Sequence, residues 1–202
     1  MKIKHPITIF TLFNHYTMDN IDLRNVSEQT EDICLNAIKK DPNNFKYVEF
    51  QTHMLCIEAV KLDGTLLEYV REQTEEICIY AIRQNPNAFK YVEFQTENIC
   101  IETVKRNGLL LEFVKEQTTD ICLEAVKQNG FALYFVECQT PEICMEAVKS
   151  NWISHMYVNE MTNEMTNEMN MLMLKQSPHA LEFIDNQTEE MCMDAVKRDW
   201  HT

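Results

Sequence analysis

The cysteines are the residues whose type and spacing most invite a chemical role. Seven of the eight recur at one position of a repeating pattern, namely Cys34, Cys56, Cys78, Cys100, Cys122, Cys144 and Cys192. Disulfides between neighbouring repeats are not expected, because packed helices lie about 8 to 10 Å apart and bridged cysteines need Cα atoms within about 7 Å. No pair has the CxxC spacing typical of zinc sites. We interpret the series as small apolar side chains between helices, and Cys138, outside it, as the candidate reactive thiol.

A second series consists of carboxylates, each six residues after a recurring threonine and three residues before a lysine: Glu58, Glu102, Glu124, Glu146 and Asp194. One carboxylate per repeat at this distance from a basic residue is typical of an ion pair on a helix surface, and we favour this over catalytic acids. An acidic binding surface is the alternative. Its candidate interaction residues are Glu58, Glu102, Glu124 and Glu146.

Methionines crowd one irregular segment, at positions 156, 161, 165, 169, 171 and 173. Packing around an insertion is the favoured interpretation, and a methionine-rich recognition groove with Met161 and Met165 as interaction residues is the alternative. The six histidines share no repeat position, and the three glycines form no phosphate-binding loop. We therefore predict no catalytic residue, no cofactor-binding residue and no metal ligand. The protein is expected not to be an enzyme.

The elements that position these side chains follow from a Gln-Thr pair that returns every 22 residues. The threonine is a candidate N-cap, acidic residues follow it, and Lys or Arg closes the helix. Gln, at the end of the preceding element, is placed to bond neighbouring turn backbone. The pairs are Gln29-Thr30, Gln51-Thr52, Gln73-Thr74, Gln95-Thr96, Gln117-Thr118 and Gln139-Thr140, with Gln187-Thr188 beyond an interruption.

Each repeat then passes through a turn of Asp, Asn or Ser with Gly or Pro into a second apolar segment, such as Leu111 and Val114. Two short helices per unit are predicted, and helices of roughly ten residues need neighbours for burial. The expected fold is an all-α αα-solenoid, a right-handed superhelix of short helix-turn-helix repeats.

A single solenoid domain is expected over residues 1–202. It comprises an N-terminal cap (1–29), six regular 22-residue repeats (30–161), an irregular repeat (162–187) and a C-terminal cap (188–202). The irregular repeat contains a four-residue insertion, because MTNE occurs twice in tandem from Met161. Four residues are close to one helical turn, so the insertion is expected to lengthen a helix without breaking the stack.

A longer period of 44 residues is visible in the second half of the repeat. Pro and Gly alternate in the turn, and charge alternates at two positions. This alternation predicts opposite charges side by side in the stack, which would disfavour slipped packing. The two series are Lys46, Glu68, Lys90, Glu112 and Glu49, Arg71, Glu93, Lys115.

The composition is acidic, since 32 acidic and 18 basic residues give a formal net charge of −14. Direct binding to nucleic acid is disfavoured because phosphates would be repelled, and solubility is the simplest reason for the charge. The first residues, interrupted by Pro6 and Asn14, do not read as a signal peptide, and no apolar run is long enough for a bilayer. We expect a soluble cytoplasmic protein without membrane contact.

The segments EEICIYAIRQNPNAFKYVEFQT and TDICLEAVKQNGFALYFVECQT resemble a 22-residue helical repeat family of unknown function from giant viruses of amoebae, the mimivirus group, and from bacterial proteins. The resemblance implies a virus-encoded protein acting in the cytoplasm of an infected host cell, and it transfers no catalytic residues. The leading hypothesis is a non-enzymatic interaction scaffold or adaptor for a protein partner of unknown identity. The alternatives are an acidic decoy of basic nucleic-acid-binding proteins and a structural component that self-associates.

Overall fold

The computed structural model of the protein describes residues 21–159 and 163–199. Within them the fold is all-helical, and successive α-helices pack side by side throughout the series as a helical repeat solenoid, as predicted. The α-helices are α1 Glu31–Lys40, α2 His53–Leu62, α3 Glu75–Gln84, α4 Glu97–Arg106, α5 Thr119–Gln128, α6 Pro141–Ser150, α7 Asn163–Gln176 and α8 Glu189–Asp199. The 3₁₀ helices are Leu23–Asn25, Pro42–Tyr47, Gly64–Tyr69, Pro86–Tyr91, Gly108–Phe113, Gly130–Phe135, Trp152–Tyr157 and Pro178–Phe183. None of the described helices is both long and apolar enough to cross a membrane.

The regular α-helices α1–α6 each begin directly after the threonine of a Gln-Thr pair. The threonine backbone is extended, and its hydroxyl accepts a backbone N–H in the first turn of the helix. Ile99 N–H lies 3.3 Å from Thr96 Oγ1, and Ile121 N–H lies 3.4 Å from Thr118 Oγ1. This bond satisfies one of the N–H groups that a helix start leaves without a partner. The predicted N-cap role of the threonine is confirmed.

The second element of each repeat differs from the prediction, because it is a six-residue 3₁₀ helix and not an α-helix of roughly ten residues. In one such helix Leu110 N–H donates to Asn107 O at 3.0 Å, and Val114 N–H donates to Leu111 O at 3.1 Å. The Asn107 side chain also accepts Leu109 N–H, and Val114 is already extended at the other end. The cap and the extended valine leave room for only two tight turns.

Both elements contribute to a continuous apolar core. The regular α-helices bury positions three, four, seven and eight after their threonine, except that Ile33 of α1 is only partly buried. The 3₁₀ helices from Pro42–Tyr47 to Gly130–Phe135 each add a large apolar residue, and the valine that follows each of them is also buried, as the spacing predicts. In one repeat these positions are Ile121, Cys122, Ala125, Val126, Leu133 and Val136, none more than 5% exposed. Because each helix is too short to persist alone, burial between repeats provides most of its stability.

Glycine at the start of a 3₁₀ helix permits a close approach of the next α-helix. A Cβ atom on Gly108 would lie 2.3 Å from the backbone oxygen of Ala125, so no other residue fits without displacement. The Gly108 N–H donates to Gln128 Oε1 at 2.6 Å, and Gly64 N–H donates to Gln84 Oε1 at the same distance. Each acceptor is the last residue of the next α-helix.

Proline occupies the same position in the alternate repeats, at Pro42 and Pro86. Proline has no N–H to donate. The residues that end the next α-helices there are Leu62 and Arg106, whose side chains have no hydrogen-bond acceptor. Gly64 and Gly108 are thus matched by glutamine, and Pro42 and Pro86 by a non-acceptor, which gives the 44-residue period a structural meaning in these four repeats.

The four-residue insertion lengthens one helix, as predicted. α7 has 14 residues where α6 has 10. Its C-terminal end remains in register, because Trp152 N–H donates to Gln176 Oε1 at 3.1 Å, as Gly64 and Gly108 do to their own glutamines. Met169 and Met173 are each only 1% exposed and fill the core. The extra residues add about one turn at the start of the helix, and the stack continues into α8.

Candidate interaction surface

The glutamines of the Gln-Thr pairs bridge neighbouring repeats and form a glutamine ladder. Each side-chain amide donates to a backbone carbonyl 18 residues later and accepts a backbone N–H 20 residues later. Gln117 Nε2 lies 2.9 Å from Phe135 O, and Glu137 N lies 3.1 Å from Gln117 Oε1. The amide supplies the partners that this irregular backbone lacks, which confirms the expected bond to turn backbone. The ladder consists of Gln29, Gln51, Gln73, Gln95, Gln117 and Gln139.

The loops held by the glutamine ladder form one edge of the solenoid, which we call the acidic edge. It comprises residues 48–54, 70–76, 92–98, 114–120 and 136–142, which lead from each 3₁₀ helix into the next α-helix. The N-terminal ends of α2–α6 all lie here, and in α3–α6 a carboxylate in the first turn offsets the positive end of the helix dipole. The exposed carboxylates are Glu49, Glu72, Glu75, Glu76, Glu93, Glu97, Glu116, Asp120, Glu137 and Glu142, whereas the basic side chains are Arg71, Lys115 and His53.

Some of these carboxylates connect adjacent loops. The Thr96 hydroxyl donates to one Glu75 carboxylate oxygen at 2.9 Å, and Asn98 Nδ2 donates to the other at 2.6 Å. Hydrogen bonds from Asn98 and then Thr96 lower the pKa of Glu75 below its ordinary value. Thr118 bonds Glu97 in the same way at 2.9 Å. The threonine hydroxyl thus caps its own helix and holds the preceding one.

Two phenylalanines on the acidic edge project into solvent. Phe50 is 80% exposed and Phe94 is 78% exposed, and each directly precedes a ladder glutamine. The other phenylalanines of the same repeats, Phe45 and Phe89, are 0% and 1% exposed. Exposed aromatic rings of this kind are typical of interaction surfaces, where truncation is often costly. The two rings are the strongest candidates for partner contact along this edge.

An open groove of about 430 Å³ lies beside Phe50. The guanidinium of Arg71 donates to the backbone oxygens of Glu49 at 2.7 Å and Val48 at 3.1 Å. These two bonds hold the arginine against the preceding repeat. The groove is lined by Glu49, Phe50, Gln51, His53, Arg71, Glu72 and Thr74, with Cys56 and Ile77 beneath them.

The carboxylates predicted from sequence as a binding surface lie elsewhere, between successive α-helices. Glu102 accepts from Arg83 Nε at 2.9 Å across the repeat boundary and from Arg106 Nε at 3.1 Å within its helix. Arg83, and then Arg106, lower the pKa of Glu102 below its ordinary value.

The remaining members of this series are paired in the same way. Glu58 lies 3.6 Å from Lys61, Glu124 lies 3.1 Å from Lys127, and Glu146 lies 3.2 Å from Lys149. Lys127 and, more weakly, the other nearby lysines lower the pKa of Glu124. The four side chains are only 22 to 30% exposed. They form helix ion pairs, which the sequence favoured, and the alternative of an acidic binding surface at these positions stays a prediction.

Six cysteines of the series are buried beneath the glutamine ladder, whereas Cys192 is partly exposed. Cys122 Sγ lies 3.5 Å from Gln117 Oε1, and Cys78 Sγ lies 3.6 Å from Gln73 Oε1. Burial raises the pKa of both thiols to about 11, which keeps them protonated as weak donors. Cys138 is exposed at the position that Phe50 and Phe94 hold in other repeats.

The structure does not test the two methionine candidates. Met161 lies outside the described residues, and for Met165 only the helical backbone of α7 is described. The recognition groove proposed for them stays a prediction.

The alternating charges of the second element do not form the contacts expected. Among these eight residues, all of which the structure describes, no ion pair is formed within 4.0 Å. Arg71 bonds backbone carbonyls, while Lys46 and Lys90 lie over the rings of Tyr47 and Tyr91 at 5.2 and 4.6 Å. The side chains are long and exposed, so aromatic faces and carbonyl groups compete successfully for them.

The sequence is similar to one family of repeats. The family described as "Domain of unknown function (DUF4116)" matches residues 55–95, 96–137 and 119–161, more than half of the 202 residues. The chain belongs to this family. The DUF4116 matches include Phe94 and Cys138, whereas Phe50 precedes the first of them. Neither the curated proteins nor the solved structures contain a match to this DUF4116 chain.

The two exposed phenylalanines were missed by sequence reasoning. The available signal was an aromatic residue alternating with glutamate directly before Gln, in the series Phe50, Glu72, Phe94 and Glu116. A position that accepts both phenylalanine and glutamate is not a core position. In this chain the residue before the ladder glutamine lies on the outer side of the acidic edge.

Proposed function

We propose that this protein is a non-enzymatic interaction scaffold that binds a protein partner along its acidic edge. The observation that carries the proposal is the exposure of Phe50 and Phe94, at 80% and 78%, on loops that the glutamine ladder holds by hydrogen bonds. A partner that covers these two rings would remove apolar surface from water. The loops would lose little conformational entropy on binding, since the glutamine ladder already holds them.

Three further features support a scaffold. A solenoid presents an extended surface on which successive repeats offer equivalent positions to a partner. The cysteine, carboxylate and glutamine series all have structural partners, so each has an explanation that needs no catalysis. The resemblance to giant-virus repeats supports a virus-encoded protein that acts on host or viral proteins in the cytoplasm of an infected cell.

The test is affinity capture from lysate with matched double variants. Phe50→Ser with Phe94→Ser removes both exposed rings of the acidic edge. Leu62→Ser with Leu109→Ser removes two apolar residues that are 42% and 38% exposed on the opposite edge, where the α-helices end. The proposal expects partners that the wild type and the leucine variant retain and the phenylalanine variant loses. Equal capture by all three proteins would refute it.

A second candidate function is an acidic decoy that occupies basic nucleic-acid-binding proteins. The observation that favours it is the row of exposed carboxylates on the acidic edge, including Glu72, Glu93 and Glu116. A decoy relies on long-range charge, so its capture of basic proteins would weaken steeply with salt and survive loss of the phenylalanines. Salt-tolerant capture that needs Phe50 and Phe94 would exclude it.

A further inference from the structure

The chemistry of the acidic edge specifies the kind of segment that fits it, an inference that rests on the scaffold function. We propose that the occupant is an extended, basic polypeptide segment with two apolar anchor residues about five to six positions apart. The anchors contact Phe50 and Phe94, and Lys or Arg side chains between and beside them contact the glutamates of the edge.

The charge of the edge selects a cationic partner. The glutamates beside the two rings, Glu49, Glu72 and Glu93, are exposed and form no ion pair within 4.0 Å with any residue of the described chain. The nearest cation, Arg71, is held by the carbonyls of Val48 and Glu49. An arginine from a partner can bond a carboxylate and stack on a phenylalanine ring at once, which a neutral or acidic segment cannot do.

The glutamine ladder already occupies part of the backbone of the edge, which disfavours strand addition. The carbonyl of Tyr69 accepts from Gln51 Nε2 at 2.8 Å, and Arg71 N–H donates to Gln51 Oε1 at 3.0 Å. The next loop repeats this pattern at Tyr91 and Glu93 through Gln73. A partner strand would find no free ladder of N–H and C=O groups, so recognition depends on side chains.

The spacing of the rings sets the spacing of the anchors. Phe50 and Phe94 are two repeats apart, and packed helices lie about 8 to 10 Å from each other, so the rings are separated by roughly 16 to 20 Å. An extended chain advances about 3.3 Å per residue and covers this distance in five to six residues. The intervening repeat carries Glu72 in place of a phenylalanine and borders the groove of about 430 Å³, which suits a basic side chain.

The experiment measures binding of labelled synthetic peptides by fluorescence anisotropy. The test peptide has about twelve residues of alternating Lys and Thr with two tryptophans about six positions apart. One control peptide replaces Lys by Glu, and another places the tryptophans about three positions apart. Each is titrated with wild type, Phe50→Ser/Phe94→Ser and Leu62→Ser/Leu109→Ser, at about 50 and about 300 mM salt.

The proposal expects the test peptide to bind wild type and the leucine variant at least about tenfold more tightly than it binds the phenylalanine variant. Wild type should also bind the test peptide more tightly than it binds either control peptide. Any one of three results would overturn it. The acidic peptide would bind with equal affinity, the spacing of the tryptophans would not affect binding, or the phenylalanine variant would retain the affinity of wild type. If lysate capture needs the phenylalanines while the basic peptide fails to bind, the scaffold function stands and the proposed partner chemistry is wrong.

Discussion

Replacement of one ladder glutamine by methionine tests the structural basis of the acidic edge. Gln117→Met keeps the length and approximate shape of the side chain and removes both hydrogen-bonding groups of the amide. The chain itself carries Met161 at the position 22 residues after Gln139, so methionine is tolerated in this sequence pattern. Glu116→Met is the matched control, because Glu116 is the exposed neighbour of Gln117.

The expected loss follows from the two bonds of Gln117. The amide donates to Phe135 O at 2.9 Å and accepts Glu137 N–H at 3.1 Å. A typical intramolecular hydrogen bond contributes about 0.5 to 1.5 kcal/mol net, so the pair is worth about 1 to 3 kcal/mol. Water reaches part of this edge and replaces some of the lost bonding, which places the expected change in the lower half of this range, at about 1 to 2 kcal/mol.

Two measurements check this value. Urea unfolding followed by far-ultraviolet circular dichroism gives the change in unfolding free energy. Because repeat arrays depart from two-state behaviour, wild type and variant are compared with one shared slope of free energy against urea concentration. Amide hydrogen exchange of Glu137 reports the local effect, and Glu93, held by Gln73, is the internal reference. A Gln117→Met protein with unchanged stability and unchanged protection of the Glu137 amide would refute the role assigned to the glutamine ladder.

Two other substitutions and one chemical modification have defined outcomes. Gly108→Ala is expected to lower the unfolding free energy by at least about 2 kcal/mol in urea melts, because its Cβ atom would lie 2.3 Å from Ala125 O; a neutral effect would contradict that geometry. Glu102→Gln should cost about 0.5 to 1 kcal/mol at pH 7 after allowance for solvent screening. Since the pKa of Glu102 lies below its ordinary value of 4.5, the difference from wild type should persist above that pH and disappear as pH falls through the lowered pKa; a difference independent of pH would contradict it. In native protein, alkylation at pH 8 should modify exposed Cys138 first and spare Cys122, whose pKa is about 11, as mass spectrometry of a time course would show; equal rates would contradict the burial.

The sequence predicts the α-helices well because their signals are local. A threonine followed by apolar residues at helical spacing locates α5 at Thr119–Gln128, and a lysine in the last turn indicates where the helix ends. Burial of Cys122 also follows, since a small apolar residue on that stripe must face the core. The effect of the four-residue insertion was also predictable, because about one extra turn leaves the apolar face of α7 pointing in nearly the same direction.

The second element and the surface were harder to predict, because they depend on partners far away in sequence. The segment Gly108–Phe113 has helical spacing, but the Asn107 cap and extended Val114 restrict it to 3₁₀ turns. The charge alternation suggested direct ion pairs, and Lys90 instead lies over Tyr91. Exposed charges have several competing partners of similar energy, so their contacts do not follow from spacing alone.

The sequence by itself determined the solenoid: the period of 22 residues, the N-cap threonine and the apolar stripe are local patterns that leave one way to bury the helices. Only the tertiary structure showed what the glutamine does, because Gln117 finds its partners 18 and 20 residues away, in the next repeat. The same holds for the surface. Alternation with glutamate places Phe50 outside the core, but only the packing of neighbouring repeats shows that Phe45 is fully buried while Phe50 is 80% exposed.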